Sequence, residues 1–408
     1  MQRVTQRTLA GDLAAAAAVG AAPEGGINRF AWTPELAEVT AWVGDELRRL
    51  GLEVEIDAAG NLLGRWPAPA GPAVMTASHL DTVPNGGAFD GVLGVLAAVH
   101  AIRILREEGF EPARPIWVGS FMDEEGTRFG TALFGSRAFC GVDVSEALEA
   151  RDADGVSVAE AMAAQDRDPA RIAEAHRVGE VGSYVELHIE QGPVLDTHGE
   201  RLGVVESICG VLGLRVRLRG ETNHAGSTPP EMRRDALAGA SRVVVALREE
   251  TLRRSDLRAT VGQIRVAPGG RNVIPGVCEF TVDLRPAMPE TFEGLQAWFG
   301  ELVARIARQE RLELEIRCDY ALEPTVMDPD VIAAIEAATR EEGVEPFRMM
   351  SGAGHDAMLV GRRAAAGMLF VPSRDGISHS PSEWTETADC ELGARVLART
   401  LRRLACTT

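Results

Sequence analysis

The sequence predicts an α/β protein whose core is interrupted by an inserted ferredoxin-like unit of β-α-β-β-α-β order. Three observations lead there. Short apolar runs alternate with helix-period segments in both end regions of the 408 residues. Between residues 209 and 321 the pattern changes to half-buried strands, as where Leu214–Leu218 alternates with arginine. Histidines and acids gather just beyond predicted strand ends, where α/β sheets carry their sites.

The apolar stretch Leu13–Val19 lies behind Arg7 and has Asp12 at its edge, so it reads as a first amphipathic helix and not as a signal segment. Residues 35–50 have helical periodicity and stop at Gly51. Leu52–Ile56 and Leu62–Trp66 flank Asp57-Ala58-Ala59-Gly60-Asn61, a hairpin turn. Ala73–Ala77 is a strand ending at Ser78-His79, and Gly91–Glu108 is a long apolar helix. Pro115–Phe121 is a strand ending at Met122-Asp123-Glu124-Glu125, and Tyr184–Ile189 is a strand carrying His188. The alanines of 159–164 favour helix. In the insert, strand Leu214–Leu218 precedes helix Arg233–Glu250. Strands Ala259–Val266 and Gly276–Leu284, helix Thr291–Gln309 and strand Leu312–Cys318 follow. The core resumes at Leu322 and includes strand Gly367–Val371, followed by a loop holding His379. The expected organisation is therefore an α/β domain in two parts, 1–208 and 322–408, around an inserted domain, 209–321.

Composition narrows the function. With 42 basic and 60 acidic residues the formal net charge is −18, which disfavours nucleic acid as a partner. There is no lysine, which excludes Schiff-base chemistry and a Walker-type phosphate loop. Six dispersed cysteines without a C-x-x-C pair suit a reducing cytoplasm. No run of 18 apolar residues predicts a membrane span.

The chemistry sits in four contexts. The first is Ser78-His79-Leu80-Asp81, whose glycine-rich continuation returns Asp90 to the same region. Asp81 is placed to hold the second ring nitrogen of His79. The others are Asp123-Glu124-Glu125-Gly126, Glu186-Leu187-His188-Ile189-Glu190-Gln191 and Ile377-Ser378-His379-Ser380. Imidazoles and carboxylates suit zinc, manganese, cobalt or nickel. Three histidines and two carboxylates exceed one tetrahedral ion but serve two if a carboxylate bridges them. An acid beside such a pair can take a proton from water, and adjacent Glu124 and Glu125 can divide the tasks of ligand and base.

These motifs, with Asn85-Gly86-Gly87-x-Phe89-Asp90-Gly91, Glu124-Glu125-Gly126-x-Arg128-Phe129-Gly130, Leu187-His188-Ile189-Glu190-Gln191-Gly192-Pro193, Asn223-His224-Ala225-Gly226-Ser227-Thr228-Pro229 and Ser378-His379-Ser380-Pro381-x-Glu383, resemble the hydantoinase/carbamoylase family of the dinuclear zinc-peptidase clan. The resemblance spans residues 24 to 390 in order and spacing; Pro230 departs from it, standing where the family has methionine. It implies a catalytic domain with a central mixed sheet flanked by helices, and an insert acting as lid and homodimer platform. It implies one divalent metal on His79 and His188, a second on Glu125 and His379, and Asp90 bridging. It implies Glu124 as general base and His224 as an oxyanion donor reaching a neighbouring subunit. Arg285 would grip a substrate carboxylate, and Asn272, Gln191 and the backbone of Gly352 and Ala353 would line the substrate pocket. His355 reads as a supporting residue. The implied reaction is hydrolysis of the carbamoyl or ureido C–N bond of a small acid, such as an N-carbamoyl-L-amino acid, allantoate or β-ureidopropionate. A dipeptidase or aminoacylase of the same clan is the alternative, and a non-catalytic binding protein is disfavoured by the complete ligand set.

Overall fold

The computed structural model describes residues 7–23, 25–69 and 71–406. It divides into two compact units: one runs to Glu206 and resumes at Met327, and the other is Ser207–Val326.

In the first unit a mixed sheet is flanked by helices. Its strands lie in the order Glu53–Ile56, Leu62–Trp66, Ile116–Phe121, Ala73–His79, Val181–Ile189, Ala365–Val371 and Gly203–Ile208. The first two form the expected hairpin, and its turn is held by the Asp57 carboxylate, which accepts from the N–H groups of Ala59 at 2.8 Å and Asn61 at 2.9 Å. The four strands from Ile116–Phe121 to Ala365–Val371 are mutually parallel, so their C-terminal ends share one edge. Strands Ala73–His79 and Ile116–Phe121 are buried throughout, which explains why they read as unbroken apolar runs without alternation. Helix Val92–Glu107 packs against the sheet and against helix Thr387–Cys406. The latter was not among the expected elements, although Leu392, Val396, Leu397 and Leu401 stand at helical spacing and are buried. Helix Pro329–Glu341 was also unforeseen.

The second unit has strand order Glu313–Leu322, Val211–Arg219, Val277–Pro286, Leu257–Ala267, all antiparallel. Helices Ala236–Arg253 and Leu295–Gln309 complete the β-α-β-β-α-β order. Leu214, Val216, Leu218, Phe280 and Val282 of the sheet form a core with Val243, Leu247, Phe299 and Val303 of the helices. Burial alternates residue by residue along Val277–Pro286, as one covered face requires. The expected helix 291–309 is interrupted: Gly294 has φ 81° and separates a turn at Pro289–Phe292 from helix Leu295–Gln309. A two-residue ladder, Asn223–His224 with Val273–Ile274, lies outside the main sheet and was not anticipated.

All six cysteines are free; Cys318 and Cys406 are exposed and the other four buried. Among the described residues no helix is long and apolar enough to cross a membrane.

One buried cation ties the first helix to the sheet edge at His79. Arg29 is fully buried and donates to the carbonyls of Ala16 at 2.8 Å, Val19 at 3.0 Å and Leu80 at 3.0 Å. It thereby serves two carbonyls at the C-terminus of helix Leu9–Ala18 and one beside His79. Burial lowers its pKa to about 10, against the attraction of Asp81. Arg29→Met takes the guanidinium from all three carbonyls and leaves that of Ala16 with the Val19 N–H. It is expected to cost about 2–4 kcal/mol of unfolding free energy, read as a lower midpoint in urea denaturation.

Candidate metal centre

The shared edge of the parallel strands collects the chemistry. His79 is the last residue of its strand and pairs in register with Phe121, after which the chain turns through Asp123, Glu124 and Glu125. His188 pairs with Phe370 on the strand that leads to the His379 loop. Asp90 returns through the loop that precedes helix Val92–Glu107. The return is close: Gly91 has φ 65°, and a Cβ there would lie 2.3 Å from the His79 ring. His379, Gln191 and Asp123 also adopt positive φ, at 55°, 57° and 57°. Such values in non-glycine residues require support from their surroundings.

Five ligand candidates and the base candidate meet there. Asp90 Oδ1 lies 3.2 Å from His188 Nε2 and 3.8 Å from His79 Nε2. Asp90 Oδ2 lies 3.1 Å from His379 Nε2, and Glu125 Oε1 stands 3.7 Å from that nitrogen. Among the described residues, two of four compact donor groups share Asp90, His79–Asp90–His188 and Asp90–Glu125–His379; the others are His79–Glu124–Glu125 and Glu186–His188–His355. Glu124 Oε2 is 3.8 Å from His79 Nε2, and Glu124 and Glu125 form a further donor group with that histidine, while Glu125 also reaches His379.

The neighbouring groups hold these donors in place. The Nδ1 atoms of His79 and His188 face the backbone carbonyls of Asp81 at 3.1 Å and Ile189 at 2.9 Å. A carbonyl only accepts, so Nδ1 carries the proton in both rings and Nε2 is left to coordinate. The Asp81 carboxylate accepts the N–H groups of Glu124 at 3.2 Å and Glu125 at 3.1 Å. Its Oδ1 is 3.7 Å from His79 Nδ1, so Asp81 acts on the acid turn as much as on the histidine.

Burial pushes the Glu124 carboxyl well above its usual range, and Asp356, Glu125, Asp81 and Asp90 push the same way. Burial likewise takes Glu125 up to about 7, with Asp90 adding to it against the pull of His79 and His379. For Asp90, burial favours the protonated form, yet hydrogen bonds with His188 and His379 hold it well below the ordinary carboxylate value. Burial opposes charge on His188, but Asp90 raises it to about 9; the Asp90 hydrogen bond also raises His379 to about 9. A water-poor site crowded with carboxylates and imidazoles is suited to divalent cations, which neutralise the acids and bind the imidazole Nε2 atoms by displacing the second proton.

Gln191 joins the group: its Nε2 donates to Asp90 Oδ2 at 3.0 Å and lies 3.1 Å from His379 Nε2. Gly352 and Ala353 follow strand Phe347–Ser351, and the Ser351 hydroxyl bonds both the N–H and the carbonyl of Ala353. His224, Asn272 and Arg285 belong to the second unit. His224 and Asn272 are neighbours through the short ladder, where Ala225 N–H donates to the Asn272 carbonyl at 2.9 Å. His224 Nδ1 accepts the N–H groups of Gly226 and Ser227 at 3.0 and 3.1 Å, so its proton is on Nε2. Arg285 Nε donates to Asp283 at 2.9 Å.

Sequence reasoning missed several residues. Glu186 accepts from Ser78 and Tyr184 hydroxyls and from Ala357 N–H, joining the strands of both histidine ligands. Glu383 was quoted within a motif and given no role, yet it is buried and bonds the Asp90 segment. Its position four residues after His379 was the available signal. His355 packs edge-on against His188, with ring centroids 4.5 Å apart.

The family model for peptidase family M20/M25/M40 matches residues 75–403. An N-carbamoyl-L-amino acid amidohydrolase of Geobacillus stearothermophilus is 42% identical over 390 residues, covering 95% of each chain. An allantoate amidohydrolase of Bacillus subtilis (strain 168) is 39% identical over 394 residues, covering 95% of this chain and 94% of the relative. The crystal structure of an amidase of the hydantoinase/carbamoylase family from Burkholderia multivorans aligns with TM-score 0.90 and 35% identity, over 98% of this chain and 97% of the other.

Asp81→Ala removes the acceptor of both N–H groups in the acid turn. It is expected to weaken divalent-cation binding by about 10–100-fold, measured by competition with a chromophoric chelator, with the far-UV circular dichroism retained.

Proposed function

The chain belongs to peptidase family M20/M25/M40, among its hydantoinase/carbamoylase amidohydrolases, and on that premise we propose that it hydrolyses the carbamoyl or ureido C–N bond of a small carboxylate substrate. N-Carbamoyl-L-amino acids and allantoate are the substrate types that the relatives' names support. The observation that carries the metal-dependent reading is Asp90, whose two oxygens face different imidazoles and join two donor groups.

The family is metal-dependent. Two divalent cations, zinc or one of manganese, cobalt and nickel, are assigned to this site, one to His79 and His188, the other to Glu125 and His379, with Asp90 between them. When bound, such ions supply Lewis acidity to the carbonyl under attack and to the attacking water. Glu124, whose Oε2 stands 3.8 Å from His79 Nε2, takes the proton of that water and passes it to the leaving nitrogen. Water adds to the carbamoyl carbon, and the C–N bond to the amino acid breaks. The carbamate released then divides into ammonia and carbon dioxide. For allantoate the same step leaves ureidoglycine.

Gln191 is assigned to the ureido or carboxylate end of the substrate, beside Asp90. Gly352 and Ala353 are assigned to the pocket wall. The second unit is assigned His224 as the oxyanion donor, consistent with its protonated Nε2, and Arg285 and Asn272 as carboxylate and substrate contacts. Closure of that unit as a lid would exclude water. A homodimer through it is part of the same reading, supported by exposed Val245, Leu252 and Ile264 and by the end position of strand Leu257–Ala267. The free thiols support a cytoplasmic setting. The dipeptidase or aminoacylase alternative is not favoured, since the relatives are named for non-peptide amide hydrolysis.

The decisive assay is ammonia release from N-carbamoyl-L-amino acids, β-ureidopropionate and allantoate, with zinc, manganese, cobalt or nickel added in turn. Cleavage of one of these acids is expected; cleavage of dipeptides alone would overturn the assignment. Glu124→Gln is expected to lower kcat by about 10²–10⁴-fold while metal content, read by elemental analysis, stays at the wild-type level. Persistence of turnover would remove Glu124 from the role of base.

A further inference from the structure

We propose that Glu383 is a positioning residue that locks the loops carrying Asp90 and His379 into the arrangement that holds the cations; this rests on the ligand assignment above. Glu383 is 4% exposed. Its Oε1 accepts the N–H of Phe89 at 2.9 Å and of Asp90 at 3.1 Å. Its Oε2 accepts the Ser378 hydroxyl at 2.8 Å. One carboxylate therefore holds the peptide of the shared ligand and the residue preceding His379, across 294 positions of sequence in the case of Phe89.

The need for such an acceptor is local. Asp90 lies immediately before helix Val92–Glu107, whose N-cap is Gly91 and has no side-chain cap. The carbonyls of Phe89 and Asp90 take the N–H groups of Leu93 and Val92, at 2.8 and 2.7 Å, but the N–H groups of Phe89 and Asp90 themselves precede the N-cap and need an acceptor from outside the helix, for which a carboxylate is well suited. On the other side, His379 sits at φ 55°, a conformation that must be maintained from outside. Fixing Ser378 maintains it from the preceding residue.

Two further features indicate a built link. Gly87 leaves the space that the carboxylate fills, since a Cβ there would stand 2.1 Å from Glu383 Oε1. The next residue, Trp384, packs edge-to-face on Phe89, with centroids 5.6 Å apart, so the same two segments meet again through an apolar contact. Glu383 thus acts on the cations through Asp90 and Ser378.

The test compares zinc affinity of wild type, Glu383→Ala, Glu383→Gln, Ser378→Ala and Asp90→Asn by competition with a chromophoric chelator, alongside thermal unfolding. Glu383→Ala is expected to weaken zinc binding by about 10–100-fold. Glu383→Gln should recover most of that loss, because its amide oxygen still accepts both N–H groups. Ser378→Ala removes the link from Glu383 to the His379 loop, together with the longer contacts of that hydroxyl with Asp90 Oδ2 at 3.5 Å and Gln191 Nε2 at 3.4 Å, and keeps the test open should Glu383→Ala not fold; it is expected to weaken binding by about tenfold. Wild-type zinc affinity in both Glu383→Ala and Ser378→Ala, with or without a lowered melting temperature, would overturn the proposal. Asp90→Asn separates the two readings. If it binds zinc as wild type does, the ligand assignment fails. If it loses zinc while the Glu383 and Ser378 variants do not, only the role of Glu383 fails.

Discussion

A buried carboxylate between imidazoles is the interaction on which the centre depends. Asp90 presents Oδ1 to His188 and His79 and Oδ2 to His379, in a place where Asp81, Glu124, Glu125 and Asp356 also bring carboxyl groups. Low-dielectric surroundings tolerate such a group of acids only when positive charge and directed hydrogen bonds compensate them. Burial first and the crowding of acids second raise Glu124 and Glu125, and the crowding is what divalent cations would relieve. A site of this kind is poor as a structural element and good as a receptor for metal.

The sheet solves the problem of assembling it. Parallel strands bring their C-terminal ends to one edge, so residues far apart in the chain become neighbours without any strand departing from regular geometry. His79 and His188 ride on buried strands, while the loops that return Asp90 and His379 need their own supports. Gly91 allows the close approach, Asp81 fixes the acid turn, and Glu383 joins the two returning loops. Most of these supports are carboxylates accepting backbone N–H groups, which gives the loops fixed anchors without adding bulk to the centre.

The second unit follows different rules. One face of its antiparallel sheet is covered by two helices, so its strands alternate, whereas the central strands of the first unit are apolar on both faces. That contrast made the insert visible in the sequence. The interruption at Gly294 was less visible, because an isolated glycine within a helical period is tolerated at a modest cost and does not by itself mark a break. Helix Thr387–Cys406 carried a readable apolar stripe and was overlooked beside the denser motifs around it.

By itself the sequence determined the residue types and their order: histidines and acids just beyond apolar runs, with glycines where the chain must turn back. These are local properties, since a strand end or a glycine turn is specified by a few neighbours, and they sufficed to name the ligand and base candidates as well as the resemblance that organised them. Only tertiary structure decided that the two oxygens of Asp90 divide between two donor groups, that Asp81 holds the Glu124–Glu125 turn, and that Glu186 and Glu383 join distant segments. The reason is physical. A hydrogen-bonding carboxylate looks the same in sequence whether it faces solvent or a loop 294 residues away, and only the packed fold selects its partner.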